Sequence, residues 1–236
     1  MPTRSEINRL PLVQPVEPAG DDHDVLLVMV PGMGIGAADF HTQGLIGAVE
    51  RRHPGIAIAT VDPGVDAYLD GSVEVRMMDG IAEARRGGPK RLWLAGISLG
   101  CQAILRCVRA QPDLAEGLIL LTPYLASTGL IAEISRSGGL REWWAANVPG
   151  SEPDRALLNW LATMPLTAMP QMFVGRADSD RFATTATMLA KLLPADHVTS
   201  VAGEHDWLSW RTLWGMILEQ DPFKRRASVV VSGGAA

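Results

Sequence analysis

The chain has 236 residues, enough for one domain with a sizeable core, and its 47% hydrophobic and 20% charged content is ordinary for a soluble globular protein rather than a disordered or fibrous one. A formal net charge of −5, with no basic stripe, argues against nucleic acid as the main partner. The short cluster Lys224-Arg225-Arg226 reads as part of a solvated end.

The Pro-rich, acidic stretch Met1 to Asp24 is expected on the surface, with one edge strand near Leu10 to Val16. It has no apolar core of the secretory-signal type, and no run in the chain reaches transmembrane length, so a cytoplasmic protein with no membrane partner is the expectation. Val25 to Val30 is a continuous apolar run, as a strand buried on both faces requires. Pro31-Gly32-Met33-Gly34 ends it. A helix is predicted over Ala37 to Arg52 with Phe40, Leu45, Ile46 and Val49 as its stripe, then a strand over Ile56 to Val61. Ser72 to Arg86 is a predicted helix stopped by Gly87-Gly88-Pro89. Strand Arg91 to Ala95, helix Ser98 to Ala110 and strand Gly117 to Leu121 follow.

From Thr122 to Pro170 the alternation breaks. Ser-Gly-Gly, Pro-Gly and Glu-Pro interrupt short helical pieces around Leu140 to Asn147 and Arg155 to Thr163. Alternation resumes with strand Gln171 to Val174, helix Arg181 to Leu193, strand His197 to Val201 and helix Trp207 to Gln220. This is the pattern of an α/β protein: a mostly parallel sheet covered by helices on both faces. The segment 224–236 is expected to be a flexible tail.

Cys101 and Cys107 stand six positions apart on one predicted helix, on different faces, so a mutual disulfide is not expected; both read as buried small apolar residues. No Cys and His set has metal-ligand spacing, and neither metal nor cofactor is expected.

The chemistry lies in Gly96-Ile97-Ser98-Leu99-Gly100, a G-x-S-x-G between a strand and a helix. Such a turn forces the serine into a strained conformation and lifts its hydroxyl above the sheet, while glycines on either side let strand and helix approach. Downstream come Gly175-Arg176-Ala177-Asp178 after one predicted strand and Gly203-Glu204-His205-Asp206-Trp207 after another. A serine hydroxyl needs a base within reach, and His205 is the candidate because imidazole titrates near neutrality. A carboxylate must then orient the imidazole. One oxyanion donor is expected to be the Leu99 amide, directly after the nucleophile at a helix start.

Serine, acid and histidine in this order, each just past a strand, resemble the α/β-hydrolase fold family, from about Val25 to about Glu219. The resemblance implies a serine hydrolase acting on a small-molecule carboxylic ester or thioester with an apolar acyl group, through an acyl-enzyme on Ser98. The family's Gly-x-x-Asp pattern puts the acid at Asp178; Asp180 competes, with helix capping near Arg181 as its other role. The resemblance also makes the Met33 amide the second oxyanion donor, although Pro31-Gly32 stands where a His-Gly start is common. It makes 122–170 a small cap on a single domain. Trp143, Trp144 and Trp160 in that cap are expected first as packing residues, with Trp143 or Trp144 as a pocket roof the alternative. Trp207, Trp210 and Trp214 read as core. Acyl transfer, carbon–carbon hydrolysis and non-catalytic binding use the same fold. An intact serine, acid and histidine set disfavours the last.

Overall fold

The computed structural model describes residues 13–16, 24–86, 88–89, 91–146 and 152–225. Seven strands, Val13–Val16 (β1), Val25–Val30 (β2), Ile56–Val61 (β3), Arg91–Ile97 (β4), Gly117–Leu121 (β5), Gln171–Ala177 (β6) and Val198–Val201 (β7), form one sheet in the order β1-β3-β2-β4-β5-β6-β7. β1 runs antiparallel on the edge against β3, and every other pair is parallel. β2 and β5 are buried at every position, which explains their unbroken apolar runs.

Side chains alternate along β2: Val25, Leu27 and Met29 enter one core layer, and Leu26, Val28 and Val30 the other. The first layer is closed by helices Ala37–Thr42 (α1), Leu45–Arg52 (α2) and, from the far end of the chain, Trp207–Glu219 (α10). The second is closed by Val65–Asp70 (α3), Val73–Ala84 (α4), Leu99–Ala110 (α5), Thr128–Arg136 (α6), Leu140–Ala146 (α7), Pro153–Thr163 (α8) and Ala183–Ala190 (α9). Each large apolar side chain enclosed in these layers contributes about 1.5–3 kcal/mol relative to exposure. Trp93, Trp143 and Trp214 are among the most fully enclosed.

The elements depart from the sequence reading in a few places. The helix expected over 37–52 is two helices, broken at Gly44, which takes φ 76°. α3 and α6 were not foreseen: α3 lies between Gly64 and Gly71, short enough to hide in a turn-rich stretch. β4 and β6 run to Ile97 and Ala177, beyond their expected ends at Ala95 and Val174. Residues 1–12 and 17–23 of the N-terminal expectation, and the tail from 226 onward, lie outside the described residues.

The segment 122–170 contains α6, α7, α8 and a short 3-10 turn at Leu166–Ala168, packed beside α5 and α9. Trp143 is buried in the core layer, its Nε1–H donated to Glu133 Oε1 at 2.8 Å. Cys101 and Cys107 are free and buried; burial pushes the Cys107 thiol up to about 12 and raises Cys101 as well. Among the described residues no helix is long and apolar enough to cross a membrane.

Candidate active site

The chain leaves β2 toward β3 on one side and returns to place β4 on the other, so the loops after β2 and β4 diverge. In open parallel sheets such a switch point, at the carboxyl ends of the strands, is where a crevice forms. Pro31 to Gly36 and the 96–100 turn occupy it.

Ser98 sits between β4 and α5 with φ 53° and ψ −115°, one of three non-glycine residues with positive φ among those described. Its flanks explain why the turn can be so tight. A Cβ on Gly100 would strike the carbonyl oxygens of Val30 and Pro31, the latter at 2.6 Å, and one on Gly96 would come within 2.8 Å of the Cys101 amide nitrogen. β2, β4 and α5 meet at these positions with no room for a side chain. Because the obstacles at Gly100 are backbone, they cannot swing away, and Gly100→Ala is expected to lower unfolding stability by about 3 kcal/mol in urea titration. A loss below about 0.5 kcal/mol, the range of an ordinary surface change, would mean that the junction is looser than these distances.

His205 lies in the loop between β7 and α10. Its Nε2 is 2.9 Å from Ser98 Oγ and its Nδ1 is 2.7 Å from Asp180 Oδ2. A carboxylate has no proton to give, so Nδ1 carries the hydrogen and donates, which leaves Nε2 of a neutral ring to accept the Ser98 hydroxyl. Asp180 is held in turn by the Phe182 amide, which donates to Oδ1 at 2.6 Å. The imidazole is clamped edge-on by Phe182 and Trp210, at centroid distances of 5.0 and 5.1 Å. The Trp210 indole N–H is anchored on Thr122 Oγ1 at 2.8 Å.

The carboxylate at His205 is therefore Asp180 and not Asp178, a correction to the sequence reading. β6 continues past Gly175, with Ala177 in register with Val201 and the Asp178 amide bonded to Val201 O at 3.0 Å. Ala177 faces inward, so alternation turns Asp178 out: its side chain is 54% exposed and pairs with Arg176 at 3.3 Å. Asp180, two residues on, turns back over the sheet end with its side chain 1% exposed.

Leu99 opens α5, where the helix dipole is positive. Met33 lies in the loop that crosses above the 96–100 turn, so close that a Cβ on Gly32 would be 3.1 Å from Ser98 Cβ. The amides of Met33 and Leu99 have no hydrogen-bond partner among the described residues. Both residues line a cavity of about 680 Å³ that also contains Ser98 and His205.

Sequence reasoning missed much of the cavity wall. Tyr68 comes from α3, Gln102 and Arg106 from α5, Asp154 from α8. Tyr68 donates to Leu99 O at 3.4 Å, and burial raises its phenol, which keeps it a donor. Gln102 and Arg106 carried a signal, since they follow Ser98 at four and eight positions within a span, Leu99 to Val108, that is otherwise apolar and buried throughout. Trp207 and Trp210, read as core, also line the cavity, whereas Trp143 and Trp144 do not. Among the described residues no group of three or more His, Cys, Asp or Glu side chains could hold a metal ion.

The parallel sheet, the strand–turn–helix junction at Ser98 and its order with Asp180 and His205 define the α/β-hydrolase fold, and comparison with solved structures agrees. The chain is similar to an S-formylglutathione hydrolase from Staphylococcus aureus, at 14% identity and a TM-score of 0.58, over 85% of this chain and 82% of that one. It is similar to the esterase LipW from Mycobacterium marinum, at 21% identity and a TM-score of 0.57, over 90% of this chain and 77% of that one. A third similar structure is an arylesterase, at 16% identity and a TM-score of 0.55, over 90% of this chain and 81% of that one. No protein-family model matches the chain, and no curated protein matches it in sequence.

Proposed function

We propose that the protein is a serine hydrolase that cleaves a small carboxylic ester or thioester through an acyl-enzyme on Ser98. The observation that carries the reading is the continuous hydrogen-bond line from Asp180 through His205 to Ser98, with distances of 2.7 and 2.9 Å, on the wall of a cavity large enough for a small substrate.

Each group has a step that its position suits. His205 Nε2 takes the Ser98 proton as Oγ attacks the substrate carbonyl carbon. Asp180 stabilises the imidazolium that forms and stays ionised. The negative charge that moves onto the former carbonyl oxygen faces the Leu99 and Met33 amides, each contributing roughly 3–4 kcal/mol of barrier lowering by comparison with known oxyanion donors. Collapse of the intermediate expels the alcohol or thiol, which receives the proton from His205. Water then repeats the sequence on the acyl-enzyme and returns Ser98 to its free form. The names of the similar structures, an S-formylglutathione hydrolase, an arylesterase and an esterase, are in keeping with this chemistry.

The test is covalent and direct. A fluorophosphonate probe is expected to label the protein on the Ser98 peptide alone, read by mass spectrometry, and p-nitrophenyl esters from acetate to palmitate are expected to be hydrolysed with an optimum that sizes the cavity. Absence of both labelling and turnover would overturn the hydrolase reading in favour of a binding protein.

A further inference from the structure

Along α5 the cavity changes character. Gln102 and Arg106 follow Ser98 at successive turns of the same helix face. Arg106 is only 8% exposed, yet it lines the same cavity as the nucleophile. Its Nη2 donates to Asp154 Oδ1, on the first turn of α8, at 2.9 Å. Gln102 Nε2 donates to the same oxygen at 3.1 Å and to Leu125 O at 2.7 Å. Arg106 Nε has no hydrogen-bond partner but is shut off from solvent and out of a ligand's reach, as are Trp93 Nε1 and Arg109 Nε away from this cavity, whereas Asp154 Oδ2 accepts no bond among the described residues. What the cavity meets on this wall is the Gln102, Arg106 and Asp154 cluster itself, with Asp154 Oδ2 as its open acceptor.

The charge of this patch limits what can fill it. Arg106 and Asp154 neutralise each other at 2.9 Å. The other charged groups on the cavity are already engaged: Asp206 caps α10 by accepting the Ser209 amide at 2.9 Å, and exposed Arg181 lies over the Phe182 ring at 4.9 Å. A carboxylate drawn to Arg106 would be set against Asp154, and an ammonium drawn to Asp154, whose side chain is 32% exposed, would be set against Arg106, which is buried. A methyl group would leave the Arg106 and Asp154 sites unmatched. A neutral group with one donor and one acceptor matches both.

We propose that Gln102, Arg106 and Asp154 form a polar subsite for the far end of the acyl group, and that it takes an uncharged hydroxyl. This rests on the ester-hydrolase reading, and it departs from the sequence expectation of an apolar acyl group. Eight residues of helix separate Ser98 from Arg106, about 12 Å of axis, and long helical side chains lean back toward the helix start. The acyl group therefore carries several carbons between the ester carbonyl and the hydroxyl.

The experiment compares three series on the wild type: ethyl esters of straight-chain ω-hydroxy acids, the unsubstituted acids of equal length, and the monoethyl esters of the matching diacids, from butanoate to octanoate. At the best length the hydroxy ester is expected to exceed the alkyl ester in kcat/KM by about tenfold, chiefly through KM, because the site's polar groups go unmatched without the hydroxyl. The diacid ester is expected to be the poorest. In Arg106→Met and in Asp154→Asn the hydroxy-to-alkyl ratio is expected to fall to about one, the value for a site that no longer hydrogen-bonds the group. This ratio does not depend on how much of a variant is folded, so a merely structural role for the pair would leave it unchanged. Turnover with the alkyl or diacid ester equal or better at every length in the wild type overturns the subsite and leaves the hydrolase standing. Failure to turn over any ester, with Ser98 unlabelled by fluorophosphonate, overturns both.

Discussion

Asp180→Asn is expected to lower kcat for ester hydrolysis by about four orders of magnitude, as removal of the carboxylate does in serine triads generally, while Asp178→Asn stays near wild type. The size of the effect follows from hydrogen-bond inventory. Asp180 accepts two bonds, from the Phe182 amide at 2.6 Å and from His205 Nδ1 at 2.7 Å. Asparagine has one acceptor oxygen. If that oxygen keeps the Phe182 amide, the NH2 group faces Nδ1 and forces it to accept, so the ring proton moves to Nε2. A protonated Nε2 cannot take the Ser98 proton, and the base is lost although the fold survives. Asp178 points outward against Arg176, and an exposed pair of that kind contributes little to either stability or chemistry. Steady-state kinetics on a p-nitrophenyl ester with both variants decides it. A large loss in Asp178→Asn with Asp180→Asn active would reverse the acid assignment.

The two candidate acids were confused for an identifiable reason. Gly175 reads in sequence as the end of a strand, and counting from it leads to Asp178. In the structure Gly175 is inside β6, because a Cβ there would meet Leu121 Cδ2 at 2.9 Å and Leu213 Cβ at 3.2 Å. It is glycine for close packing between β5 and α10, not for a turn, and that requirement depends on residues far away in the chain. Ser98 and His205 were legible because local patterns fix them: a serine flanked by glycines whose Cβ positions are filled, and a histidine just before a helix capped by Asp206. The parallel sheet was legible for the same reason, since β2 and β5 are apolar throughout and their burial on both faces leaves no other reading. The cavity wall was not legible. Tyr68 and Asp154 reach it from α3 and α8, short helices whose placement is decided by tertiary packing.

Ser98→Ala and Ser98→Gly are each expected to lower kcat by about six orders of magnitude, the cost of removing the nucleophile from a triad, yet to differ in stability. Ser98 is held at φ 53° and ψ −115°, a conformation that an L-residue adopts at a cost of about 1–3 kcal/mol. It is the mirror image of an ordinary extended conformation, so glycine, which has no handedness, takes it without strain. Alanine keeps the Cβ and the strain. Glycine releases the strain, and gives back about 0.4–1 kcal/mol through the greater freedom of its unfolded chain. The net gain for Ser98→Gly over Ser98→Ala is about 1 kcal/mol, which for a domain of this size is a rise in Tm of about 2–4 °C. Thermal melts of the two inactive variants measure the difference with catalysis absent from both. A glycine variant that melts no higher than the alanine variant would show that the junction stores no strain. A higher melt would mean that the fold gives up stability to lift one hydroxyl toward His205, the trade expected where an active site and not packing sets the backbone.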